Sequence, residues 1–154
     1  MPQISGIADE AGDAIETQIA AHQALGWQTI ELRMIDGRNI AGDLPELTFE
    51  HVVEQLAVAG LRVTGFASAI GNWSRHIDEP FECDVEDLKT AARRMHRLNV
   101  RYIRTMSWRG EGVDKAHWRD EAIRRYRELA RIAEGEGVVL AHENCTGWGG
   151  LGPE

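Results

Sequence analysis

An apolar run, Val138–Ala141, ends in His142-Glu143-Asn144 and leads into the glycine-rich stretch "TGWGG". A carboxylate at the end of a buried strand is costly unless it is paired with a cation or bound to a metal. Glu143 is therefore read as a metal ligand, the alternative being a salt bridge to Arg33 or Arg104. Other residues able to do chemistry sit at the ends of other short apolar runs: Asp9 after Ile4–Ala8, Arg33 in Thr29–Met34, Ser68 after Leu61–Ala67 and Arg104 in Val100–Ser107. Strand alternation assigns faces. In "TIELRM", Ile30 and Leu32 turn toward covering helices, which leaves Glu31 and Arg33 pointing inward as substrate contacts or as a buried structural cluster. By the same rule Glu143 shares its face with Val139 and Ala141, while His142 turns away, a packed histidine rather than a second ligand. Ser68, opening "SAIGN", offers a hydroxyl and backbone N–H groups to an anion. Trp73, Trp108 and Trp148 fall in loops on the same side, where they would wall a site against water. His76 is the one further histidine placed to reach it. Gly147, Gly149 and Gly150 would make either a loop over that site or a plain connection.

Helical patterns separate these strands. Ile15, Ile19, His22 and Leu25 share a face that ends at Gly26. Phe49, Val52, Val53 and Leu56 follow Thr48 and stop at Gly60. Leu88, Ala91, Ala92, Met95 and Leu98 follow Asp84 or Asp87. Ile123, Tyr126, Ala130 and Ala133 close at Gly135 and Gly137. Glycine just past the last periodic residue is the expected helix stop. "DGRNIAGDLP" and "SAIGNWSRHIDEP" read as loops.

Five strands alternating with four helices give a βαβ rhythm with right-handed crossovers. A dinucleotide-binding sheet would carry G-x-G-x-x-G after its first strand, and "ADEAGDA" does not supply it. Chemistry spread over the ends of several strands is instead the habit of the (β/α)₈ barrel. A whole barrel takes about 250 residues, so the 154 residues of this chain read as a single α/β domain, residues 1–154: a partial TIM barrel of about five βα units, apparently truncated.

The net charge of −8 argues against nucleic acid and against anionic membrane surfaces as partners. Two cysteines, Cys83 and Cys145, without metal spacing suggest reduced thiols and a cytoplasmic location. No apolar run is long enough to span a bilayer, and "MPQISGIADEAGD" is not a secretory signal.

These residues resemble the xylose isomerase-like TIM-barrel superfamily, in its sugar phosphate isomerase/epimerase branch. The likeness rests on "ISGIADE", "IELRMIDGRNIAGDL", "ASAIGN", "YIRTMSW" and "LAHENCTGWGG", in that order along the whole chain. It implies a divalent metal (Mn, Mg, Co or Zn), with Glu143 as one ligand and as the catalytic base, the other ligands belonging to strands six to eight. The metal would polarise a sugar carbonyl and acidify its neighbouring C–H, and a carboxylate would move the proton through an enediolate. Glu31, Arg33, Ser68 and Arg104 become substrate contacts. The implied partner is a small sugar or sugar phosphate, with a homo-oligomer possible. Three other readings stand beside this one. An inosose dehydratase-like lyase would use the same proton abstraction. A non-catalytic fragment or assembly subunit would lack a complete metal site. An endonuclease IV-like phosphodiesterase would need more inward histidines than are present. The 154-residue chain alone is expected to be inactive.

Overall fold

The computed structural model describes residues 4–145 and 147–148. Four parallel strands form the sheet in the order β1 (Thr29–Leu32), β4 (Arg62–Ala67), β5 (Tyr102–Thr105) and β6 (Val139–His142). The helices α1 (Ile15–Ala24), α2 (Glu46–Ala59), α3 (Glu82–Arg97) and α4 (Lys115–Glu136) connect them. Ile30, Leu32, Phe66 and Ile103 of the strands are fully buried with Phe49, Val52, Leu88, Met95 and Leu129 of the helices. Alternation from these positions turns Glu31, Arg33 and Arg104 to the opposite face. α2 and α4 end on Gly60 and Gly137, at φ 67° and 68°, where a side chain would be strained.

The structure corrects several sequence expectations. Ile4–Ala8 is not a ladder strand. It makes one parallel bridge, Ile7 to Glu31, before a 3₁₀ turn at Ala8–Glu10. Side chains take over the pairing: Thr29 Oγ1 donates to Ile4 O at 2.8 Å, and Ser5 Oγ meets Thr64 Oγ1 at 2.9 Å. The segment "DGRNIAGDLP" contains a hairpin, β2 (Met34–Ile35) with β3 (Arg38–Asn39). Its Asp36-Gly37 turn has φ 51° and 73°, the left-handed pair that Asp-Gly accommodates. Leu25 is 62% exposed, because α1 ends one residue before it. α2 starts at Glu46 behind Pro45 rather than at Thr48. Gly135 lies inside α4, whose start is capped by Asp114 accepting from the N–H groups of Ala116 and His117.

The buried stripe of α4 runs through Ala122, Arg125, Leu129 and Ala133 rather than through Ile123 and Ala130. Those two line an apolar groove of about 450 Å³ with Tyr126, His142 and Trp148. The Tyr126 hydroxyl donates to Met106 O at 2.6 Å and meets Thr105 Oγ1 at 3.1 Å. Burial pushes this phenol up to about 12. Its proton is held more tightly in the folded than in the unfolded chain, so the stabilisation is complete below pH 10 and is lost as pH rises toward 12. Alkaline unfolding of wild type and Tyr126→Phe is the check. Wild type should lose about 1–2 kcal/mol more than the variant between pH 9 and 12, and parallel curves would refute the assignment.

Candidate active-site cleft

The carboxyl ends of the four strands and the loops after them enclose a cleft of about 800 Å³. It holds Arg33, Ser68, Arg104 and Glu143 from the strand ends, as the sequence suggested. Glu31 lies two residues below Arg33 on the same face; it is half-buried and does not line the cleft. Period two thus gave its direction but not its depth.

Each strand-end side chain has a partner. Arg33 Nε donates to both carboxylate oxygens of Asp9, at 3.1 and 2.8 Å, and its NH2 donates to Glu10 at 2.7 Å. The Asp9 hydrogen bonds, with Glu10 adding to them, hold the guanidinium pKa above its ordinary value. Arg104 NH1 pairs with Glu143 Oε2 at 3.0 Å, and its NH2 donates to Ser68 O at 3.1 Å. Arg104 Nε is buried and without a partner among the described residues. Ser68 Oγ donates to Arg104 O at 2.6 Å and accepts from Ile70 N–H at 3.2 Å. That hydroxyl fastens β4 to β5. Of the two readings of Glu143, the ion pair with Arg104 is the one these residues make.

A second cluster was missed as a site in the sequence. Asp84, 1% exposed, accepts from Gly71 N–H at 2.9 Å, from Trp108 Nε1 at 2.8 Å and from Arg75 NH1. Arg75 NH2 bonds Asp87, and both residues line the cleft. Burial holds the Asp87 carboxyl above its usual range despite Arg75. A Cβ on Gly42 would lie 2.5 Å from Asp87 Oδ1, which accounts for the glycine. The legible signal was Asp84 in register with Leu88, Ala91 and Met95 on the apolar face of α3. A carboxylate on such a stripe needs a buried partner.

The three loop tryptophans part company. Trp108 is fully buried against Tyr126 and Phe81. Trp148 packs edge-on against Trp118 beside the apolar groove. Trp73 alone of the three lines the cleft, and it is 63% exposed. His76 is used elsewhere, its Nε2 against Glu111 O at 3.1 Å and its Nδ1 accepting from Asp78 N–H at 3.2 Å. His142 stands edge-on to Tyr126 of α4, on the helix side as expected, but at the end of β6 it is exposed rather than packed. Of the loop glycines, Gly147 is buried against Ser107, while Gly149 and Gly150 lie outside the described residues.

The donor set for a metal is incomplete here. Among the described residues no three His, Cys, Asp or Glu side chains converge to hold an ion. Glu143 is a single carboxylate already paired with a guanidinium, and divalent cations need several oxygen ligands.

A parallel sheet covered by helices, with charged side chains gathered at its carboxyl edge, is the architecture of a TIM barrel, here as part of a barrel. The chain belongs to the xylose isomerase-like TIM-barrel family, whose model matches residues 19–153. No curated protein matches it in sequence. Solved structures with the same fold include an IolI protein with a bound zinc atom, at 18% identity and TM-score 0.67 over 91% of this chain. An L-ribulose 3-epimerase matches at 18% identity and TM-score 0.65 over 93%. A xylose isomerase-like TIM-barrel protein from Mycobacterium smegmatis in complex with magnesium matches at 21% identity and TM-score 0.62 over 92%. The chain spans 50%, 50% and 54% of those three chains, about half of each. No described helix is long and apolar enough to cross a membrane.

Proposed function

We propose that this chain forms the Glu143-bearing half of the active site of a sugar isomerase or epimerase. The observation that carries the reading is the Glu143 carboxylate, held at the carboxyl edge of the sheet by Arg104 and open to a cleft of about 800 Å³. A carboxylate so placed can take the proton from a carbon next to a carbonyl. The C–H electron pair then becomes the C=C of an enediolate as the carbonyl oxygen gains negative charge. Inversion of the centre needs a second proton donor on the opposite face, which would come from outside the described residues. Return of the proton by Glu143 to the former carbonyl carbon, with the hydroxyl proton passing to the other oxygen, moves the carbonyl. Family membership supports this chemistry, as does the epimerase among the proteins sharing the fold. Glu143 is also the one donor this half would offer a divalent metal, the remaining donors coming from outside the described residues.

The test is solvent exchange. The full-length protein, given divalent metal and a panel of ketoses in D₂O, should place deuterium at the carbon beside the carbonyl, read by loss of that proton's NMR signal. A panel with no exchange and no isomer formed would overturn the reading.

A further inference from the structure

We infer that Arg94 is a positioning residue for the cleft: from inside α3 it fixes the 40–44 loop, which builds the wall against Asp87. The inference rests on the proposed function only in treating the cleft as the active site. Arg94 is 5% exposed, and its guanidinium is directed at backbone. NH1 donates to Ile40 O at 2.8 Å and to Gly42 O at 3.5 Å. NH2 donates to Leu44 O at 2.6 Å and to Glu46 Oε2 at 3.2 Å. Three alternate carbonyls of one loop thus converge on one planar fork, whose carbon lies 5.1 Å from the centre of the Phe49 ring. The same loop places Gly42 and Asp43 in the cleft wall. A Cβ on Gly42 would meet the Asp87 carboxylate, so the place of Gly42 sets how deeply that carboxylate is covered beside Arg75.

A cation taken out of water is a costly fastener, and an apolar side chain of similar volume often packs as well. What the guanidinium adds is a fixed place for each carbonyl it meets. The device recurs one unit further on. Arg125 of α4 is also 5% exposed. Its NH2 donates to Ile77 O at 2.5 Å and to Glu79 O at 2.8 Å, and its Nε pairs with Glu121 at 2.8 Å. Its guanidinium carbon lies 5.3 Å from the centre of the Phe81 ring. In both cases a buried arginine of one helix holds the loop that leads into the helix before it. It also stands over the aromatic at that helix's start, Phe49 in the first turn of α2 and Phe81 at the N-cap of α3. The chemistry is the same but the place is not, because residues 77–79 do not line the cleft. Arg125 is therefore a control for Arg94 within the same protein.

Amide hydrogen exchange of the full-length protein, followed by NMR, tests the inference without a substrate, so it holds or fails whatever the reaction proves to be. Arg94→Met keeps the apolar stem and removes the fork. The amides of Gly42 and Leu44, both bonded to Asn39 O, should then exchange about 10-fold faster, the order expected when hydrogen bonds to a charged group are lost. The amides of Ile77 and Glu79 should keep their wild-type rates. Arg125→Met should do the reverse. Arg94→Lys should also free Gly42 and Leu44, because a compact ammonium cannot span three carbonyls, and it serves if Arg94→Met does not fold. The Asp87 carboxyl, titrated by carbon-13 NMR, gives a second readout. Burial, with repulsion from Asp84 and Asp43, holds it above its usual range against the pull of Arg75. Its midpoint should fall toward that range in Arg94→Met, as water reaches it, and stay in place in Arg125→Met. Equal acceleration of both loops in either methionine variant would reduce Arg94 to a general contributor to stability and overturn the inference. So would wild-type exchange at Gly42 and Leu44 in Arg94→Lys, or an unmoved Asp87 midpoint in Arg94→Met.

Discussion

Glu143→Gln is expected to slow proton exchange at the substrate carbon by about 10²–10⁴-fold, the usual contribution of a positioned general base. Glutamine has the shape of glutamate, and its amide oxygen can still accept from Arg104 NH1. It cannot take a proton from carbon. Fold and cleft should therefore survive the change while the chemical step does not. Stability should move little, because the Glu143 side chain is 39% exposed and an ion pair this open contributes about 0–1 kcal/mol. Arg104 would keep its bond to Ser68 O, so the β4–β5 junction stays fastened. The measurement is the D₂O exchange rate of the full-length protein beside its urea midpoint. Exchange at the wild-type rate would remove Glu143 as the base. A large fall in the midpoint would instead mark the Arg104–Glu143 pair as structural.

Much of this architecture was legible because the helix-covered face of each parallel strand and the apolar stripe of each helix recur as short apolar runs between helical patterns. Ile30, Leu32, Phe66 and Ile103 are buried as alternation requires. The partners within the site were not legible, since they join residues far apart in sequence. Nothing local says that Arg33 will choose Asp9 and Glu10 while Glu143 is left to Arg104. The hairpin at Met34–Asn39 is not legible from periodicity, because each arm is only two residues long, although Asp36-Gly37 is a strong turn signal. Loop tryptophans look alike in a sequence. Trp108 is drawn into the core by the Asp84 carboxylate waiting for its indole N–H, and Trp73 has no such anchor.

That same carboxylate should be the most destabilising single position to truncate. Asp84→Ala is expected to cost about 3–5 kcal/mol, the range for breaking a buried charge pair from one side, out of a total stability that for a domain of this size is about 5–15 kcal/mol. Three donors lose their acceptor at once: Gly71 N–H, Trp108 Nε1–H and the Arg75 guanidinium. Two of them belong to backbone in the left-handed region. Trp108 sits at φ 47°, rare for a bulky residue. Gly71, at φ 63°, packs so closely that a Cβ would fall 2.2 Å from Met106 O. Trp108 N–H also donates to Gly71 O at 2.6 Å, so the loop after β4 and the loop after β5 are locked at one point with Asp84 at its centre. Arg75→Met should cost distinctly less, because Asp84 would keep two N–H donors and Arg75 is partly open to solvent. Urea unfolding of the two single variants and the double variant separates the terms. If the double variant is no less stable than Asp84→Ala alone, the guanidinium and the carboxylate act as one unit. An Asp84→Ala midpoint within the equivalent of about 1 kcal/mol of wild type, less than a typical buried-pair loss, would mean that water replaces the carboxylate and that the two loops hold without it.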